Sequence, residues 1–288
     1  MNFDLEKYYN MILHNDWDGA LKYRSSFLPS CLYKFYSLSG TDDDDNKDLM
    51  KLETLRKKHL WVSSPESNND PFEYKGLCFN KEKLLEHISE KTFEICMRMF
   101  DRIDHLMYLA SFIGKSDISP INNAPMWAYY ANNHCGFCVE FLLKEKTPNI
   151  RELSYEPKRI DFTKMFLYSL EKEVTKEKLL AYILYPEKYS IKSDMWKHEH
   201  EYRFLYMDEM NLDALANLDL EIQSKNGIEI PYEEYGLSVD KIYVGINCSD
   251  NHQKRVIEIA KEIGANLVYK MKLSKNEFAF EEDILWQP

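Results

Sequence analysis

In the stretch MWKHEHEYRFLY, Met195 to Tyr206, two glutamates and an arginine occupy alternate positions, with a histidine and aromatic residues between them. Read as a strand over 199–207, it projects Glu199, Glu201 and Arg203 to one face and His200, Tyr202, Phe204 and Tyr206 to the other, because strand side chains alternate. One face is then core-like and the other charged. Lining a pocket, such a cluster would mark function, since burying charge is costly. Fully exposed, it would be a solvated strand face whose ion pairs add little. A second acidic pair, Asp70 and Glu73, lies in PESNNDPFE. With Glu199 and Glu201 it could hold Mg²⁺ as a phosphodiesterase does, although the Asp-then-Glu-x-Lys order common in such nucleases is missing.

Other chemistry-bearing residues have plainer expectations. Asn69 and Asp70 bond readily to backbone, and Pro71 keeps Asp70 out of the helical region, so 69–73 reads as a fixed turn in which Asp70 caps its own amides. Trp127 and Tyr130, three apart, share a helical face suited to packing. His134, in a polar turn beside them, could stack on or bond to a ring ligand. In a strand, His198 and His200 face away from the glutamates. Cys135 and Cys138 form the only close cysteine pair, but residues three apart on a strand point oppositely and no second pair completes a metal site, so packing is expected.

The chain of 288 residues is 44% hydrophobic and rich in aromatics, with 20 Tyr, 15 Phe and 5 Trp, as a folded globule with a substantial core would be. A formal charge of −11 opposes nonspecific attraction to nucleic acid or anionic membrane. Six cysteines without an apolar leader, and no run of about 20 apolar residues, point to free thiols in a reducing, cytoplasmic setting and to no membrane span.

Helical spacing is read over 3–14 and 16–27, with Asn15 or Asp16 as cap, over 47–58, over 81–113 with a break possible, and over Lys176 to Tyr185. CLYKFYSL, LWVSS and GFCVEFLL read as strands, and Asp42–Asp45 as a solvated loop. VDKIYVGI, DNHQKRVIEIAKEIGA and NLVYKMKL read as strand, helix, strand, with Gly264 as the helix stop. The expected fold class is α+β: residues 1–30 as an N-terminal helical segment, and 31–288 as a single domain with a central mixed sheet and flanking helices.

The segments LYKFYS, LWVSSPESNNDPFE, MWAYYANNHCGFCVEF, MWKHEHEYRF and VDKIYVGINCS together resemble, in order, a bacterial family catalogued as domain of unknown function 2971. Its usual Tyr-Arg stands here as Phe35 and Tyr36. The order of elements is in turn similar to ADP-ribosyltransferases. That similarity implies NAD as substrate, Glu201 as the catalytic glutamate stabilising oxocarbenium charge, and Glu199 as its partner toward an acceptor. It also implies Arg203 steadying Glu201 or binding phosphate, Lys34, Tyr36, Ser63 and Ser64 near the dinucleotide, a macromolecular target, and a role as toxin or antiviral-defence effector. The expectations left beside it are the Mg-dependent phosphodiesterase and a non-enzymatic interaction module.

Overall fold

The computed structural model describes residues 3–41, 46–67, 70, 72–114, 118–172, 174, 187–208, 222 and 225–288. The expected helix Lys176–Tyr185, the acidic run Asp42–Asp45, Asn69 and Pro71 lie outside the described residues.

Two short helices open the chain, α1 (Leu5–Leu13) and α2 (Trp17–Ser25), each started by an aspartate that accepts a backbone N–H three residues on: Asp4 from Lys7 and Asp16 from Gly19. Their buried faces (Tyr8, Ile12, Trp17, Ala20) pack on Phe162 and Met165 as a cluster of their own. Strand β1 (Cys31–Tyr36), helix α3 (Asn46–Arg56) and strand β2 (His59–Ser63) follow.

The helical pattern read over 81–113, with a break possible, divides into two helices, and its last part is a strand instead. A short strand β3 (Leu77–Cys78) precedes α4 (Lys81–Leu85) and α5 (Glu90–Arg102), and Met107–Ile113 is strand β4. MYLASFI is apolar on both faces because it lies inside the sheet, so it shows no two-residue period to set it apart from a helix.

Helix α6 (Ala124–Tyr130) leads into β5 (Phe137–Leu143), and three short strands not read from the sequence come next: β6 (Ile150–Glu152), β7 (Ser154–Glu156) and β8 (Ile160–Asp161). Then come α7 (Thr163–Glu171), β9 (Ile191–Ser193) and β10 (Glu201–Met207). After β11 (Gly227–Pro231), the chain ends as β12 (Leu237–Val244), α8 (Asp250–Ile263), β13 (Leu267–Leu273) and β14 (Phe280–Trp286). Gly264 stops α8 in the left-handed conformation at φ 78°.

One mixed sheet runs β11-β2-β4-β1-β5-β12-β13-β14, its parallel pair β12–β13 joined by α8. Strand β10 pairs with β4 along its whole length, from Glu201 opposite Ile113 to Met207 opposite Met107, and carries β6 on its far side. β1 and β2 therefore share the other edge of β4, each through a single pair, Tyr33 with Ile113 and Ser63 with Leu109. The main core lies on one face, where Leu32, Phe112, Phe141 and Phe204 meet Leu52 and Leu55 of α3 and Val256 and Ile259 of α8. Tyr33, Ile113, Trp127 and Cys138 form a smaller cluster on the other. Among the described residues, no helix is long and apolar enough to cross a membrane.

Asn132, Asn133 and His134 hold positive φ (47°, 52°, 67°) to turn α6 into β5. Gly136 ends that turn so close to β1 that a Cβ there would stand 1.8 Å from the carbonyl oxygen of Tyr36. Gly136→Ala is therefore expected to destabilise the fold by about 1–3 kcal/mol or more, read as a lower urea midpoint. An unchanged midpoint would show that β1 and β5 can separate freely.

Candidate functional site

Alternation along β10 sends Tyr202 and Phe204 into the main core and Glu201 and Arg203 to the opposite face. That face is not solvated. Glu201 and Arg203 are 4% and 1% exposed, at the base of a cleft of about 720 Å³. Its other walls come from β1 (Tyr33, Lys34, Phe35), β4 (Ser111, Phe112, Ile113) and α6 (Met126, Tyr129, Tyr130), from Asp70 and Glu73, and from the 3-10 turn Asp194–Glu199 (Trp196, His198, Glu199).

Glu199 reaches the cleft by a route the alternating pattern does not describe. It ends the 3-10 turn, outside the strand, and His200 then takes the left-handed conformation at φ 48° before β10 begins at Glu201. The same turn places His198 on the cleft, where a strand would have turned it away.

These side chains form one buried ion network. Arg203 Nε donates to Glu201 Oε1 at 2.8 Å, Nη1 to the Tyr189 carbonyl at 2.8 Å, and Nη2 to Glu73. Lys192, from β9, donates to Glu199 at 2.6 Å and Glu201 at 2.7 Å. Ser111 Oγ donates to Glu201 Oε1 at 2.6 Å, and Tyr130 donates its hydroxyl to Glu199. With all three guanidinium nitrogens engaged on protein groups, Arg203 serves as a positioning residue and has no fork left for a phosphate. Lys34, partly buried, donates to the Ser111 carbonyl at 3.2 Å.

Burial alone would raise the Glu201 carboxyl, but Arg203 and Lys192 outweigh it and hold the group at about 2, against 4.5 ordinarily. Glu201 is thus a fixed anion and a weak base. Burial lowers Lys192 and Arg203, and the carboxylates around them more than restore both upward. Lys34 is lowered by burial to about 8, with Glu201 opposing the shift.

A depressed carboxyl stabilises the fold above its unfolded pKa and loses that contribution as pH falls through the folded one. The Glu201 contribution, about 3 kcal/mol at most, is therefore full above pH 4.5 and fades toward pH 2. Urea unfolding at pH 6 and pH 3 is expected to show a smaller acid loss for Glu201→Gln than for wild type. Equal losses would place Glu201 outside the acid response.

The structure thus brings together Glu199, Glu201, Arg203, Lys34, Asp70, Glu73 and Tyr130. Of the described residues, it leaves Tyr36, Ser63, Ser64, Trp127 and His134 outside the cleft. Tyr36 stacks on Phe137 at 4.8 Å in the main core, and Ser63 pairs within the sheet. Buried Ser64 bonds through its N–H to the Asn226 carbonyl at 3.0 Å. Trp127 is fully buried and donates to the Ile121 carbonyl at 2.8 Å, so it does not share the outward face of Tyr130. His134 stacks on Trp127, away from the cleft. Asp70 does cap its own turn, accepting from Phe72 N–H at 2.9 Å.

Sequence reasoning missed Ser111, Lys192 and Trp196. The signal for Ser111 was a lone hydroxyl in an apolar run. For the cation there was none, since Lys192 is one lysine among many until β9 places it. Cys135 and Cys138 are free thiols. Among the described residues, no three His, Cys, Asp or Glu side chains are placed to hold a metal ion. A divalent ion on Glu73, Glu199 and Glu201 would have to displace Arg203 or Lys192.

Fold and cleft together define an α+β protein whose central sheet floors a charged, aromatic-walled cleft. Residues 126–204, from α6 to the middle of β10, match the family described as Protein of unknown function (DUF2971), so the resemblance read from the motifs holds over that segment. The segment carries Tyr130, Lys192, Glu199, Glu201 and Arg203. No curated protein and no solved structure matches the chain.

Proposed function

We propose that the protein is an ADP-ribosyltransferase-like enzyme that breaks the nicotinamide–ribose bond of NAD, passing the ADP-ribose to an acceptor or to water. One observation carries this reading: a carboxylate kept ionised by two cations at the base of an aromatic-walled cleft. As the bond breaks, positive charge grows on the sugar, and a preorganised anion stabilises that state more than the ground state. Tyr129, Tyr130 and Trp196 offer flat faces for the departing ring. Glu199, steadied by Tyr130 and Lys192, is spaced to orient an acceptor beside Glu201. Incubating the pure protein with NAD and following free nicotinamide tests the reading. Release above the spontaneous rate is expected, and its absence with both water and protein acceptors would overturn it.

A further inference from the structure

We infer that Lys34 is the catalytic base of this cleft, taking the proton of the acceptor as its oxygen bonds to the ribose carbon. This rests on the NAD-cleaving reading. Among the described residues three cations line the cleft, and they are not alike. Lys192 is bonded to Glu199 and Glu201, and Arg203 to Glu201 and Glu73. Among the described residues, no carboxylate lies within ion-pair distance of Lys34. Among the described residues its amine makes one hydrogen bond, to the Ser111 carbonyl, and stands over the rings of Phe112 and Tyr36 at 5.5 Å and 5.7 Å from their centres. The ring faces and the Glu201 charge attract the ammonium, but burial outweighs them, favours the neutral amine and brings Lys34 to about 8.

The groups facing it leave few rivals. Glu201 is too acidic to accept a proton near neutrality. Glu199 holds Tyr130 on one oxygen and Lys192 on the other, Glu73 is tied to Arg203, and Asp70 to its own turn. Tyr33 is raised by burial and Tyr130 by burial and its bond to Glu199, so both stay protonated. His198, on the cleft wall, is the competitor that experiment must remove.

The step balances. The carbon–nitrogen bond breaks with its electron pair going to the pyridinium nitrogen, which leaves as neutral nicotinamide. An acceptor oxygen lone pair forms the new bond to the ribose carbon, and the proton of that oxygen passes to Lys34 Nζ and later to solvent. A phosphate anchor, by contrast, would need Lys34 charged.

Nicotinamide release measured from pH 6 to 10 for wild type, Lys34→Arg, Lys34→Met and His198→Gln separates these roles. Wild-type kcat is expected to rise with pH through a midpoint near 8 to a plateau above about 9. Lys34→Arg, which keeps the charge but cannot give it up, is expected to lose about 100-fold in kcat with KM little changed, and Lys34→Met to lose as much. His198→Gln, whatever its absolute rate, still rises with pH through the same midpoint. Thermal midpoints confirm that each variant is folded, and Lys34→Met stands in if the arginine does not fit. Competitive acetylation with acetic anhydride at graded pH, read by peptide mass spectrometry, gives the titration of Lys34 without turnover, with a midpoint expected near 8. Release that Lys34→Arg retains, a raised KM at unchanged kcat, or a midpoint above 10 overturns the base role alone. No release by wild type at any pH overturns it together with the reading it rests on.

Discussion

Arg203→Ala is expected to destabilise the protein by about 3–5 kcal/mol, enough to remove a large part of an ordinary domain's stability. Arg203 is 1% exposed and joins β10 to two other segments, through Glu73 in the turn after β2 and the Tyr189 carbonyl before β9. Without it, Glu73 and Glu201 stay buried with Lys192 as the remaining cation, 3.9 Å and 2.7 Å away. The loss comes from carboxylates stranded away from water more than from the pair itself. Arg203→Lys keeps the charge, but one ammonium cannot span Glu201, Glu73 and the carbonyl, so a smaller loss is expected. Urea unfolding of the three proteins orders them. A loss under about 1 kcal/mol for Arg203→Ala, the size of a solvated surface pair, would show that the network is open to water.

Glu201→Gln acts mainly on turnover. Removing one charged or polar group that stabilises a transition state typically slows an enzyme about 10²–10³-fold, and nicotinamide release is expected to fall by at least that. Stability falls far less than for Arg203→Ala. The wild-type network sets three carboxylates (Glu73, Glu199, Glu201) against two cations (Lys192, Arg203), and the glutamine leaves two against two. Its amide oxygen still accepts from Arg203 or Lys192. A loss of about 1–2 kcal/mol is expected, more than a solvated glutamate would show. A thermal midpoint for wild type and variant separates the two effects.

The parts of this site that follow a simple period could be read from sequence. Strand β10 shows alternation, so its charged and core faces are legible in the residues alone, as are the helix stop at Gly264 and the Asp70 turn. What escaped obeys no local rule. Strand β4 is apolar on both faces, so its pattern merges with the helix before it, and Ser111 was hidden with it. Glu199 sits beside Glu201 through a left-handed residue, His200, a conformation that histidine tolerates but does not announce. Lys192 matters through a strand of three residues, too short to carry a period. Ser63, Ser64 and Tyr36 entered by likeness in element order, which fixes their strands but not where the side chains point. The burial of the charged face was the least legible feature, because the residues that cover it come from α6, the 3-10 turn and the segment around Glu73.

The most direct measurement follows free nicotinamide from NAD with wild type and Glu201→Gln side by side, at equal concentration and with thermal midpoints in hand. If Glu201 stabilises charge on the ribose, wild type releases nicotinamide well above the spontaneous rate and the folded variant falls by about 10²-fold or more. Equal release by the two folded proteins would contradict that role. No release by wild type would contradict the NAD-cleaving reading itself.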